Sequence, residues 1–92
     1  MESDNKISPS AFNDRELAGK IKLGNQLAFA ILYDRYHKKV YTLAMRYLKS
    51  KEMAEDVVQD IFIKLWTNRL KIDESLNFKS YLFTSAKIIS LM

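Results

Sequence analysis

The sequence predicts an all-α fold, a small bundle of three main helices with a short helix in front. Three observations carry that expectation. Apolar residues fill 48% of the 92 positions, with only two Gly and one Pro to punctuate them, too few turns for a β-sandwich or barrel. Apolar positions recur at three and four residues over long stretches, the period of a helix that buries one face. An Asp, Asn or Ser stands before each stretch, and these side chains cap helix N-termini. Ninety-two residues suffice for one domain with one modest core.

Residues 1–12 are polar apart from their ends, contain Pro9 and read as a disordered lead-in to a domain over 13–92. Asp14 is placed to cap a short helix, Arg15 to Leu23, with Leu17, Ala18 and Ile21 on its apolar side. Gly24 follows where a left-handed residue ends a helix. Asn25 is placed to cap a long helix from Gln26 to about Leu48. Its stripe is Phe29, Leu32, Tyr33, Tyr36, Val40, Leu43, Ala44, Tyr47 and Leu48. Ile31, Tyr41 and Met45 form a second apolar line, which predicts contact on more than one side.

Ser50 is placed to cap a third helix ending near Thr67 or Asn68. Its inward stripe is Ala54, Val58, Ile61, Phe62 and Leu65. A connection of ten residues, 68–77, follows; helix pairs usually take two to eight, and long loops are often functional. Asn77 then caps a last helix from Phe78, with Phe78, Tyr81, Leu82 and Ile89 inward and small Ser85 and Ala86 allowing close approach. Lys79, Phe83 and Lys87 form a line of cation, aromatic, cation on its other side. Such a line suits single-stranded nucleic acid, and packing of Phe83 on another element explains it as well.

Composition excludes several chemistries. There is no cysteine, hence no disulfide, thiolate metal site or cysteine nucleophile. No glycine-rich phosphate loop is present. His37 is the sole histidine, between Tyr36 and Lys38, with nothing to orient it as a base. An enzyme is therefore not expected, nor a metal or cofactor. No window has the length of a membrane span and the first residues lack the pattern of a signal peptide, so the cytoplasm is the default location.

Charge is unevenly placed. The net charge of +4 divides into 0 over residues 1–25, +4 over 26–49, −3 over 50–60 and +3 over 61–92. The acidic segment is the outer face of the third helix: Glu55, Asp56, Gln59 and Asp60, with apolar Ile63 beside them. Carboxylates in the first turns of a helix complement its dipole, and a negative N-terminal half needs nothing more than that. A docking surface for a cationic protein is the other reading.

Three stretches in this order resemble the second conserved region of bacterial sigma factors of the extracytoplasmic-function (ECF) class, sigma-70 region 2. They are Ala28-Phe29-Ala30-Ile31-Leu32-Tyr33-Asp34-Arg35-Tyr36, then Ala54 through Trp66 (AEDVVQDIFIKLW), then Phe78-Lys79-Ser80-Tyr81-Leu82-Phe83. The middle one is the specific motif. The resemblance implies a helical bundle that binds the clamp helices of the largest subunit of RNA polymerase core and recognises and melts the promoter −10 element, one base of the non-template strand being flipped into a pocket. Carried over, Glu55, Asp56, Gln59, Asp60 and Ile63 face polymerase. Asn68 and Ile72 on the loop, with Ser85 and Ile88 on the last helix, form the pocket. Arg69, Lys71, Lys79 and Lys87 neutralise phosphates and Phe83 assists strand separation. An anti-sigma factor is a further possible partner.

Two departures accompany the resemblance. The family usually has asparagine where Ile88 stands, and isoleucine offers neither donor nor acceptor to a base. The family also continues into a helix-turn-helix domain that reads the −35 element; this chain stops at Met92, so that domain is expected to be absent. The rival function is a helical protein-interaction module that binds polymerase or an anti-sigma factor without recognising DNA.

Overall fold

The computed structural model of the protein describes residues 12–73, 75 and 77–91. Among them are four α-helices and no strand: α1 (Asp14–Lys22), α2 (Gln26–Leu48), α3 (Lys51–Thr67) and α4 (Phe78–Leu91), with a 3-10 turn at Arg69–Lys71. No described helix is long and apolar enough to cross a membrane. Most of the expected lead-in lies outside the described residues. Phe12, its last member, belongs to the fold: its ring packs partly against the core and Lys20 lies over it, 5.4 Å from the ring centre.

Caps fix the helix starts. Asn25 accepts from the Ala28 amide at 2.9 Å, Ser50 from Met53 at 3.3 Å and Asn77 from Ser80 at 3.1 Å, each satisfying an amide that the helix leaves unpaired. The cap of α1 differs from expectation. Asn13, not Asp14, holds that position: it accepts from the Glu16 amide at 2.8 Å while Glu16 accepts from the Asn13 amide at 3.0 Å. This reciprocal capping box satisfies two donors at once, and it leaves the Asp14 carboxylate free for a distant partner. Gly24 takes φ +87° and donates to the Ile21 carbonyl at 2.8 Å, so the left-handed stop of α1 stands where the sequence put it.

The helix α2 is the axis of the bundle. Its buried residues are Ala28, Leu32, Tyr36, Val40 and Ala44, spaced by four throughout. Four residues turn 400°, so this row drifts about 40° per step and about 160° over its length. One helix thereby serves neighbours on several sides, which explains the second apolar line. Helix α3 returns beside α2 in the opposite sense: Phe29 and Tyr33 near the start of α2 meet Phe62 and Trp66 near the end of α3. Helix α4 lies on the remaining flank, with Phe78, Leu82 and Ala86 fully buried. Val57 is also buried and widens the inward side of α3 beyond the expected stripe. Tyr47, expected in the stripe of α2, is 40% exposed instead.

A polar anchor ties α1 to α2. Arg35 donates to the Asp14 carboxylate at 2.7 Å and to the Phe12 carbonyl at 2.8 Å. The Tyr36 hydroxyl donates to the other Asp14 oxygen. Burial, then this bond and the negative carboxylate beside it, push the Tyr36 hydroxyl from 10.0 up to about 12. The folded protein therefore keeps a proton that the unfolded chain releases near pH 10. Stability from this group is fully present below pH 10 and is lost as pH rises to about 12. Denaturant titrations between pH 9 and 12 should show a decline that shrinks in Tyr36→Phe; an identical decline in both proteins would contradict the assignment.

Candidate nucleic-acid and protein interfaces

The α2–α3 seam opens outward as an aromatic floor. Phe29 packs against Trp66 with ring centres 5.1 Å apart, and Tyr33 meets Phe62 edge-on at 4.8 Å. His37 continues the row, stacked on Tyr33 at 4.6 Å and 4°. Its Nδ1 lies 2.8 Å from the Tyr33 carbonyl; a carbonyl only accepts, so Nδ1 carries a hydrogen. His37 is thus half-buried and held, by partners that its sequence neighbours did not reveal.

The acidic residues of α3 border this floor along two lines. Glu55 and Gln59 line a cleft of about 550 Å³ with Tyr33, His37, Lys38, Tyr41 and Lys51. Gln59 and Ile63 then edge the shallow trough over Phe29, Phe62 and Trp66. Ile63 is 61% exposed and extends the apolar surface of that trough outward. Asp56 is exposed on the other line, beside Leu48, Met53 and Ile89. Asp60 pairs with Lys64 at 3.1 Å. A pair this exposed contributes about 0.3–0.5 kcal/mol, and it neutralises much of what Asp60 would offer a cationic partner. The aromatic floor itself was not picked out as a site in the sequence. The signal was there: Phe29 and Tyr33, like Phe62 and Trp66, are four apart on helices that must face each other.

Residues 68–73, with the end of α3 and the start of α4, border another cleft, about 190 Å³, lined by Leu65, Asn68, Lys71, Ile72, Asp73 and Tyr81. Asn68 and Lys71 are exposed there, while Ile72 is only 5% exposed and mainly plugs the core. Asp73 accepts from the Ser75 amide at 2.9 Å, and that bond holds its carboxyl below the ordinary carboxylate value. Ser85 and Ile88 do not line this cleft. They continue the Tyr81 line at i+4 and i+7, one and two turns away along α4, and Ile88 is 54% exposed. Tyr81 is the residue the sequence reading placed in the core; it is partly buried and lines the cleft as its aromatic member.

The expected phosphate contacts divide. Lys79 and Lys87 are exposed, and Phe83 is partly buried against the core. Arg69 departs from expectation. Its guanidinium lies 4.5 Å from the Trp66 ring centre and donates to the Trp66 carbonyl at 3.1 Å. Its Nε is buried without a hydrogen-bond partner among the described residues and lies 3.8 Å from where a Cβ on Gly24 would stand. The 3-10 turn packs onto the end of α1 and draws Arg69 inward. Among the described residues there is no group of three or more acidic or histidine side chains that could hold a metal.

Residues 32–88 match the family model described as Sigma-70 region 2. The chain belongs to this family. The region 2 match takes in α3, the 3-10 turn and most of α2 and α4. Named relatives agree. The chain is similar to the ECF RNA polymerase sigma factor SigW of Bacillus subtilis, 33% identical over 72 residues, 78% of this chain and 38% of SigW. It is also similar to the ECF RNA polymerase sigma factor SigK of Mycobacterium bovis, 35% identical over 51 residues, 55% of this chain and 27% of that protein. The SigK of Mycolicibacterium vanbaalenii is 35% identical over 60 residues, 64% and 31% of the two chains. The chain therefore spans well under half the length of the relatives it matches. No solved structure matches it.

The packing of Arg69 yields a test. Arg69→Ala removes a stacked cation and its bond to the end of α3. It should lower stability by about 1–2 kcal/mol and leave the salt slope of oligonucleotide binding unchanged, measured by thermal melts and fluorescence anisotropy. A reduced slope with full stability would return Arg69 to the phosphate contacts.

Proposed function

We propose that this chain is the region of an ECF-type transcription initiation factor that binds RNA polymerase core and engages the single-stranded promoter −10 element, acting in the cytoplasm without chemistry of its own. The observation that carries it is the α2–α3 surface: an exposed apolar residue, Ile63, and an amide, Gln59, over an aromatic floor, with Glu55 and Asp56 at its margins. An apolar centre rimmed by groups that accept charge-assisted hydrogen bonds suits arginine-bearing helices. The family and its named relatives point to polymerase as the owner of those helices, and the clamp of the largest subunit is the docking element we favour. Asp60 contributes less than its neighbours because Lys64 already pairs with it.

The second surface is the loop–α4 cleft. A flipped base is held by stacking and by bonds to its edge, which must offset a few kcal/mol of lost stacking in the duplex. Tyr81 supplies the ring face. Asn68, which can both donate and accept, and the Asp73 carboxylate supply edges. Lys71 lies beside them for the phosphate. Ser85 and Ile88 serve the strand next to the flipped base rather than the base itself, and Ile88 gives that stretch apolar contact without base discrimination. Phe83 stays with strand separation in this reading, on the opposite flank of α4. Binding of an anti-sigma factor would use the same aromatic floor. The rival, an interaction module that ignores DNA, keeps the first surface and dispenses with the second.

One experiment separates these readings. Asp56→Arg with Gln59→Ala should abolish capture of polymerase core by the chain and leave its melting curve unchanged. Tyr81→Ala should weaken a single-stranded −10 oligonucleotide by about tenfold, as loss of one stacked base at 1–3 kcal/mol implies, with polymerase capture intact. Polymerase capture that survives the first pair of substitutions would refute the docking surface; oligonucleotide binding indifferent to the second would favour the rival.

A further inference from the structure

The seam between α2 and α4 carries a feature that the two surfaces above do not use. Lys39, Thr42, Leu43 and Arg46 of α2 and Lys79 and Phe83 of α4 line an open groove of about 380 Å³. Lys39 and Arg46 are seven residues apart, hence on one face and about 10 Å apart along the axis. Helices α2 and α4 run in the same sense: residues 39–46 adjoin 79–83, and Leu48 adjoins Ile89. Lys79 and Phe83, one turn apart, therefore lie alongside the α2 cations.

Three facts separate this groove from an ordinary solvated face. No carboxylate lines it, and α4 has none over its whole length; Asp34 is the sole acidic residue of α2. Neither Lys39, Arg46 nor Lys79 is in an ion pair among the described residues; the Lys39 ammonium lies over the Tyr36 ring, 5.9 Å from its centre, a contact that leaves its charge unneutralised. The Thr42 hydroxyl is turned to its own helix, donating to the Lys38 carbonyl at 2.9 Å, so the floor offers cations and apolar wall rather than bound polar groups. Clustered like charges repel, and a groove concentrates their field.

The groove and the base cleft occupy opposite flanks of α4. Tyr81 lies on one, Lys79 and Phe83 on the other, with Phe78, Leu82 and Ala86 buried between them. Beside Tyr81 and Phe83 the exposed ridge joining the flanks is Ser80 and Thr84, small hydroxyl side chains that let a backbone pass close; Lys87 and Ile88 continue it one turn on. We propose that a single strand whose base enters the cleft crosses this ridge and lies in the α2–α4 groove, where Lys39 and Arg46 join Lys79 as phosphate contacts and Phe83 walls the sugar side. This inference rests on the single-strand reading of the cleft and adds α2 to the nucleic-acid surface.

The test uses the full chain and fluorescein-labelled 15-mers, one oligo-dT and one of −10-like mixed sequence, with anisotropy read from 50 to 300 mM salt. Lys39→Ala with Arg46→Ala should weaken both oligonucleotides about tenfold at low salt. It should lower the slope of log K against log salt by about 1.4, two phosphates at 0.7 each for a single strand. Arg15→Ala with Lys20→Ala removes the same charge from α1 and should change binding less than twofold. Equal losses in the two double variants would reduce the effect to net charge and overturn the groove. Loss in Tyr81→Ala alone overturns the groove and leaves the cleft standing; loss in neither Tyr81→Ala nor the groove pair overturns both. Displacement of oligo-dT by a polyglutamate peptide at equal charge concentration would assign the groove to an acidic protein surface instead.

Discussion

The row of five buried residues along α2, spaced strictly by four, is the constraint on which the rest depends. A heptad spacing would keep one face toward one partner. A spacing of four winds the apolar row around the helix, so α3 and α4 are held on different sides and α1 is laid across the start. The two seams that α2 forms are then distinct surfaces. Small residues make the approach close: Ala28, Ala44, Ala54 and Ala86 are all buried. Replacing any of them by a larger side chain would push two helices apart, since packed interiors have no room to absorb the volume.

The anchor at Asp14, Arg35 and Tyr36 has a different role. It is specific rather than apolar, joining residues 21 and 22 positions apart. A nine-residue helix is too short to hold itself, and Leu17, Ala18 and Ile21 alone could slide along α2. Two donors on one carboxylate fix the register. The opposite end of α1 is fixed by Arg69 on the 3-10 turn, so the connection that carries the base cleft is braced against the N-terminal helix. The 3-10 turn beside the cleft thus packs on a helix that lies before the segment matched to the family.

Much of this was legible in the chain itself. The boundaries of α2, α3 and α4 followed from Asn25, Ser50 and Asn77 as caps, because a cap is a local interaction and sequence is local. The start of α1 was misplaced by one residue for a physical reason: Asn13 and Asp14 both suit a cap, and the choice was made by Glu16 and by a carboxylate partner 21 residues away. Arg69 was assigned to phosphate on charge alone, whereas its neighbours Trp66 and Gly24 are brought to it only by the turn of the chain. Tyr81 was assigned to the core by periodicity; a residue at the edge of an apolar stripe serves core and cleft together. Lys39 and Arg46 went unnoticed because their groove exists only once α4 lies beside α2.

The charge pattern along the chain now has a spatial form. The acidic segment borders the aromatic floor of the α2–α3 seam, and cations from the basic segments on either side of it, Lys39, Arg46 and Lys79, meet at the α2–α4 seam. In the proposed function these two faces hold a cationic helix and an anionic strand at once, without one competing for the other. The most direct measurement is oligonucleotide affinity with and without saturating amounts of the isolated clamp-helix hairpin of the largest polymerase subunit. The account requires a ternary complex, with affinity for the labelled 15-mer changed less than twofold. Mutual exclusion of hairpin and oligonucleotide would contradict it.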